Sequence, residues 1–304
     1  MRERAQIRLL PDGRRLHLHD GPIDLIVEAF GVPTEINVAY WAAGERFVTV
    51  LDELCSELTL LRQPARRGGP PAVGVIARRM VAAVAPYGES MFITPMAAVA
   101  GAVAEEIIGA MTSAANLSRA YVNNGGDIAL HLETGEHLVV GIIERPDRPS
   151  LFGTAALDST QPVRGIATSG WRGRSFSLGI ADAVTVLADR SAMADAAATI
   201  IANAVDLPGH PRITRTPACD LTPDTDLGDR LVTQGVGELS QGEIADALDA
   251  GVAVARSLLS RGLIRAAALC LCGVTRVVGV KSSSEAGLVA ARDRTQSSRS
   301  LIHA

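Results

Sequence analysis

The chain has 304 residues, 47% of them hydrophobic, so a large core is within reach, and its length suits two domains or one large duplicated one. A net charge of -4 supplies no positive footprint for nucleic acid or an anionic membrane, which excludes both as partners. The charged start, MRERAQIRLLPDGRRL, lacks the apolar stretch of a signal peptide, and the Ala-rich run 94–104 is too short to span a bilayer, so a cytoplasmic protein is expected.

Residues 5–30 predict a β-hairpin: AQIRLL, the turn PDGR, then RLHLHDGPIDLIVEAFG with a Gly-Pro interruption. A helix follows over about 44–62, where Phe47, Val50, Leu51, Leu54, Leu58 and Leu61 recur at helical spacing, and RQPARRGGPPA stops it as a solvated loop. AVGVIARRMVAAVAPYG and TPMAAVAGAVAEEIIGAMTSA predict two more helices, the second with Thr94 as N-cap and Pro95 at the first helical position. Ala97, Ala98, Ala100, Gly101, Ala102 and Ala104 leave that helix almost without bulk, so a helix, a sheet or a flat ligand must approach it closely.

Strands are expected in RAYV, DIALHL, HLVVGII, FGTAAL, VRGIAT and DAVTVLA, separated by turns at Asn-Gly-Gly, ETGE and ERPDRP. A helix over 191–204 comes next, then a long surface excursion, DLPGHPRITRTPACDLTPDTDLGD. EIADALDAGVAVARSLLSRGL predicts a helix, IRAAALCLCG with VTRVVGVK a closing hairpin, and the last dozen residues a frayed tail. Runs of strands with short turns point to α+β with mostly antiparallel sheets, and no Gly-rich dinucleotide or P-loop motif is present.

The four cysteines show no C-x-x-C spacing. Cys270 and Cys272 alternate on one strand face and are expected to be buried. His17 and His19 also share a strand face; without a third ligand nearby they are expected to be structural or solvent-facing.

Three segments exceed what folding alone requires. YVNNGGDIALHL sets Asn123, Asn124, Gly125, Gly126 and Asp127 between apolar residues, as a hairpin turn or as a loop whose bare backbone meets a ligand. GIATSGWRGRSFS ends a strand in Thr168, Ser169 and Gly170 and runs into Arg172 and Arg174, either an ordinary polar strand end or a holder of phosphate or carboxylate oxygens. In DRSAMADAAATIIANAV, Asp195 and Thr199 fall one helical turn apart, which suits a hard cation such as Mg²⁺ or simple helix capping.

In this order the three segments resemble the ApbE family, the FAD:protein FMN transferases, over about residues 90–205. There an N-x-G-G-D loop, a T-S-G strand end and an A-D-A-x-A-T helix surround a flavin nucleotide and Mg²⁺. The resemblance implies a duplicated T-fold of α+β class, spanning residues 1–290 as one domain of two intertwined halves, with 291–304 as a flexible tail. It also implies a homodimer, a small-molecule ligand such as FAD or FMN, and Mg²⁺ on Asp195 and Thr199.

Two departures qualify the likeness. The family lysine is missing from TPMAAVAGAVAEE, and the H-x-x-D-P histidine of the transferases has no counterpart in SFSLGIADAVTVLA, whose only titratable residue is Asp182. The chain therefore resembles an ApbE-like branch without the transferase histidine, which puts flavin transfer in doubt. The expectation is an enzyme acting on a small planar or anionic metabolite, a heterocycle or flavin-like nucleotide. Backbone N–H groups of 124–127 and 169–170 would bind anionic oxygens, Arg172 or Arg174 would supply charge, and Asp127 or Asp182 would orient or deprotonate the substrate. Flavinylation of a target protein and non-catalytic binding are the alternatives.

Overall fold

A computed structural model describes residues 4–66, 68–143, 151–279, 288–290 and 302–303. The expected ERPDRP turn and nearly all of the expected tail lie outside the described residues.

The opening segment forms three strands, β1 (Gln6–Leu9), β2 (Leu16–Asp20) and β3 (Ile23–Phe30), in an antiparallel meander. Asp12 closes the first turn, its Oδ1 accepting the N–H groups of Arg14 and Arg15 at 2.9 and 3.0 Å. Gly21, at φ 57°, and Pro22 make the second, since Asp20 pairs directly with Ile23.

Helix α1 (Pro33–Ser56) starts well before the expected residue 44, and α2 (Leu58–Leu61) follows it. Pro33 at its first turn marks the start, but Val38 and Trp41 are exposed, which hid the first turns from a search for apolar periodicity. Then come α3 (Val75–Val84), a 3₁₀ turn (Pro95–Ala98) and α4 (Val99–Ala114). Strands β4 (Arg119–Asn124), β5 (Asp127–Leu132), β6 (His137–Ile143), β7 (Leu151–Asp158), β8 (Gly165–Ser169) and β9 (Ala183–Ala188) lead to α5 (Ser191–Ala204), all near their expected bounds.

The expected surface excursion is instead ordered. Strand β10 (Ile213–Pro217) pairs antiparallel with β11 (Leu231–Val236), and α6 (Ala218–Leu221) lies between them in sequence. The many Pro and Asp residues masked the alternation in ITRTP. The chain continues with α7 (Gln241–Ser260), β12 (Ala266–Leu271), β13 (Val274–Val278), β14 (Leu288–Ala290) and β15 (Ile302–His303). The last, two residues of the expected tail, pairs in parallel with β6 at Val140 and Gly141.

The chain divides into two compact units, one of Met1–Leu138, Leu157–Ile166 and Asp189–Asp195, the other of Val139–Ala156, Ala167–Ala188 and Ala196–Ala304. In the first, strands run in the order β1-β2-β3-β4-β5, with the first two residues of β8 paired to β5. Leu18, Leu25, Val27, Val122 and Ile128 from these strands and Phe47, Val50, Ile107 and Met111 from α1 and α4 are fully buried. Each such side chain contributes roughly 1.5–3 kcal/mol of burial.

The stretch Pro95–Ala114 is a 20-residue helical segment of hydropathy 1.3, longer than the Ala-rich run suggested and apolar enough by length and composition to cross a membrane. In the fold it is a core element: α4 packs on α1, β4 and β5 through Ala102, Val103, Ile107 and Met111.

In the second unit β9, β12 and β13 are antiparallel neighbours, the six residues of β12 are all buried, and α7 covers β12 and β13. Ser240 and Glu243 form a capping box that fixes the start of α7. Cys270 is buried as expected; Cys272 is not on the strand but in the β12–β13 turn, exposed and at φ 49°. The architecture is α+β with mostly antiparallel sheets.

Candidate functional site

The NNGGD segment is a tight hairpin. Strand β4 runs to Asn124 and β5 begins at Asp127, the two residues facing each other in register, so only Gly125 and Gly126 form the loop. Their φ values of 65° and 115° require glycine. The asparagines do separate work: Asn123 Oδ1 accepts the Gly126 N–H at 2.8 Å, and Asn124 Nδ2 donates to the Ala100 carbonyl at 3.2 Å. Asn124 thereby ties the hairpin to the first turn of α4.

That first turn is not capped as the sequence suggested. Thr94 makes no side-chain capping bond, and Ala98, the residue before α4, has no side chain to make one. The orphan N–H groups are met from α5 instead: Asp195 Oδ2 accepts the Gly101 N–H at 3.0 Å and the carboxylate also takes the Ala100 N–H. Asp127 is close enough to act on the same carboxylate. Burial, and after it the charge of Asp127, push the Asp195 carboxyl well above the usual carboxylate range, while the two backbone N–H groups pull against that shift.

The close approach expected of the small-residue helix is to the N-terminal turn of α5. A Cβ on Gly101 would sit 2.4 Å from the Ser191 carbonyl oxygen and 2.7 Å from the Ala192 nitrogen. Gly165 of β8 meets the same segment, its notional Cβ 2.2 Å from the Ser191 nitrogen. The contact is reciprocal, because Glu105 of α4 accepts the Ala192 N–H at 2.8 Å. Each helix therefore supplies a carboxylate to the other's N-terminus.

Glu105 also heads a run of alternating charge. Its Oε2 lies 3.0 Å from Arg79 Nε and 3.2 Å from Arg190 Nε, Arg79 reaches Glu106 at 3.0 Å, and Arg46 joins Glu106 at 2.8 Å to Glu53 at 2.7 Å. Glu105, Arg79 and Arg190 were missed in the sequence, although the pair Glu105-Glu106 ending an otherwise apolar stripe was visible.

In the second unit, Thr168 shares a 2.8 Å hydrogen bond with Thr185, Ser169 is half-buried, and Gly170 turns the chain at φ 155° against the Asp182 carbonyl. Asp182 is 5% exposed and both its oxygens accept bonds: Oδ1 from Arg172 Nε at 2.5 Å and Trp171 Nε1 at 3.2 Å, Oδ2 from the Cys272 N–H at 2.6 Å. The guanidinium of Arg172 also stacks over Trp171, 4.3 Å from the ring centroid. Arg174 is exposed.

Asn123 to Asp127 and Asp195 thus fall in the first unit; Thr168 to Gly170, Arg172, Arg174, Asp182 and Thr199 fall in the second. Along α5, Asp195 and Thr199 are one turn apart, an oxygen pair of the type that suits Mg²⁺. Among the described residues no group of three or more His, Cys, Asp and Glu side chains is arranged to hold a metal ion. His17 bonds Asp24 at 2.8 Å and accepts from Arg8 at 3.1 Å, a structural arrangement.

The first unit also has a concavity of about 700 Å³, lined chiefly by Leu60, Pro64, Val81, Val84, Pro86 and Pro95, with Gln63, Arg66 and Glu89 as its polar side chains. None of the candidate catalytic, binding or metal residues named in the sequence lines it.

Mixed helices and antiparallel strands, with an Asn-Gly-Gly-Asp hairpin pinned to the start of a small-residue helix, define an α+β protein with a carboxylate-bearing helix junction. The chain belongs to the family described as AbpE bacteria, whose model matches residues 7–277. It is similar to UPF0280 proteins: 40% identical over 129 residues to one of Methanopyrus kandleri, covering 42% of this chain and 48% of the relative. A UPF0280 protein of Methanococcoides burtonii is 40% identical over 136 residues, covering 44% and 54%, and one of Methanocella arvoryzae is 37% identical over 184 residues, covering 57% and 66%. The chain spans about half the length of the first two.

Proposed function

We propose that this is an ApbE-like protein, an enzyme that binds a small planar or anionic metabolite, a heterocycle or flavin-like nucleotide, at the junction of the NNGGD hairpin with the N-termini of α4 and α5. The observation that carries the reading is Asp195: a carboxyl that burial, and after it the neighbouring Asp127, make resistant to ionisation, held at the start of α4 by the Gly101 and Ala100 N–H groups. Groups whose ionisation is shifted by burial and a like charge are typical of sites that handle protons or cations. The order of the three motifs, Thr168, Ser169 and Gly170 among them, supports a flavin- or nucleotide-like substrate class.

In this scheme the Gly125-Gly126 turn leaves the backbone open to close approach, and Asn124 fixes the hairpin against α4. Of the two candidate bases, Asp127 is favoured by its place beside Asp195; Asp182 is nearly enclosed and spends both oxygens on protein donors. Mg²⁺, held by Asp195 and Thr199 when bound, would supply a Lewis acid for an anionic oxygen. Arg172 is committed to Asp182, so Arg174 is the remaining guanidinium of that loop for an anionic group.

Native mass spectrometry of the purified protein, with a UV-visible scan and titration of FAD and FMN with and without Mg²⁺, tests this. Retention or Mg²⁺-dependent binding of a flavin or other small anionic metabolite, lost in Asp127→Asn and Asp195→Asn, is expected. Binding that survives both substitutions would overturn the assignment of the site. An FAD-dependent mass gain on a second protein would move the reading to flavin transfer; retention without turnover would move it to a binding protein.

A further inference from the structure

The structure assigns to Glu105 the role of positioning residue for Asp195: by capping the first turn of α5 it sets where the Asp195 carboxylate lies against Ala100, Gly101 and Asp127. The inference deepens the proposed function and rests on it where it concerns cation binding, but its geometric half stands alone.

Glu105 is 10% exposed in its side chain and spends its two oxygens on different partners. Oε1 accepts the Ala192 N–H at 2.8 Å, which fixes α5 one turn before Asp195. Oε2 lies between two guanidinium groups, Arg79 at 3.0 Å and Arg190 at 3.2 Å, as ion pairs by distance rather than as aligned hydrogen bonds. Arg79 is itself anchored on α4 through the Ala102 carbonyl at 3.0 Å and Glu106 at 3.0 Å. Arg79, so anchored, and the more exposed Arg190 set positive charge against Glu105, and a carboxylate makes a stronger cap for a helix N-terminus than a neutral acceptor.

The other side of the junction cannot adjust. The backbone of residues 190–192 is gripped by Gly101 and Gly165, each approaching so closely that a methyl group would not fit. Asp195 therefore has two determinants: the glycine contacts, which set how near α5 comes, and Glu105, which sets how its first turn is seated. Outer groups that set the position of a metal ligand typically change metal affinity by roughly 10–100-fold when removed.

The experiment compares the full chain with Glu105→Ala and Glu105→Gln by backbone amide exchange and by Mn²⁺ titration, Mn²⁺ standing in for Mg²⁺. Glu105→Gln keeps a neutral acceptor for Ala192. The Gly101 amide, which reports its bond to Asp195, is expected to exchange at least about tenfold faster in Glu105→Ala while amides around Gly109 of the same helix keep their rates, and Glu105→Gln is expected to restore most of the protection. Mn²⁺ affinity should fall about tenfold or more in Glu105→Ala and only a few-fold in Glu105→Gln. An unchanged Gly101 rate in Glu105→Ala, or a loss spread evenly along α4, would overturn the positioning role. If the unmodified chain binds no Mn²⁺, the cation part of the proposed function fails, and the exchange data still decide the role of Glu105. If Glu105→Ala binds Mn²⁺ as tightly as the unmodified chain, the positioning inference fails and the site stands.

Discussion

Helix α4 contains two glycines for which substitution by alanine has opposite expected outcomes. Helix propensity alone favours both changes, by about 1 kcal/mol each. At Gly109 nothing lies within 4 Å of the added methyl, so the gain should be realised in large part and the midpoint should rise by roughly 2–4 °C. At Gly101 the methyl would lie 2.4 Å from the Ser191 oxygen and 2.5 Å from the Ser191 carbonyl carbon. Those are backbone atoms at a helix start, not the ends of flexible side chains, and they are also held by Gly165 and Glu105. Overpacking costs typically about 1–3 kcal/mol and sits at the upper end when backbone must move. With the propensity gain subtracted, Gly101→Ala should destabilise by about 2 kcal/mol, a drop of roughly 4–8 °C. Thermal unfolding followed by circular dichroism, with urea midpoints as a second measure, reads both. A Gly101→Ala protein as stable as Gly109→Ala would refute the close approach of α4 to α5 and with it the placement of Asp195.

Two further outcomes follow from the carboxylates. Because the folded state holds the Asp195 carboxyl above its unfolded value of 3.8, its contribution to stability is complete below that value and is lost as pH rises through the shifted one. Asp195→Asn should therefore gain stability relative to the unmodified chain on going from about pH 4 to neutral pH, and a difference in unfolding midpoint that does not change with pH would count against the shift. Asp182→Ala should cost roughly 3 kcal/mol, the usual loss when one partner of a buried ion pair is removed, and should red-shift the fluorescence of Trp171, whose indole N–H loses its acceptor. Unchanged emission together with an unchanged urea midpoint would show that Asp182 does not pin its loop.

The sequence was most legible where one signal dominated. Alternation and Asn-Gly or Gly-Pro turns marked β2 to β5, and the Ala-rich runs over 191–204 and 243–263 marked α5 and α7. It was least legible where the deciding partner is far along the chain. Thr94 and Pro95 form a plausible local cap, yet α4 begins after a 3₁₀ turn and is capped by Asp195, a residue no local pattern could indicate. Asp182 offers the same lesson from the other direction: as the only titratable residue of its stretch it drew attention as a base, but Arg172, Trp171 and the Cys272 N–H surround it. In the 206–229 segment prolines and aspartates suggested irregular chain, whereas pairing with β11 overrides local propensity in β10.

The mutual capping of α4 and α5 has a consequence during synthesis. The bonds that complete the two helix starts join residues 94 and 87 positions apart, so neither start is finished until the ribosome has passed residue 195. At about 5–20 residues per second the apolar α4 segment waits roughly 5–20 s with its first N–H groups and its small-residue face uncovered. A nascent chain stalled in that interval presents a long apolar helix without its lid, which makes codons between the two helices the stretch where translation speed should matter most for yield.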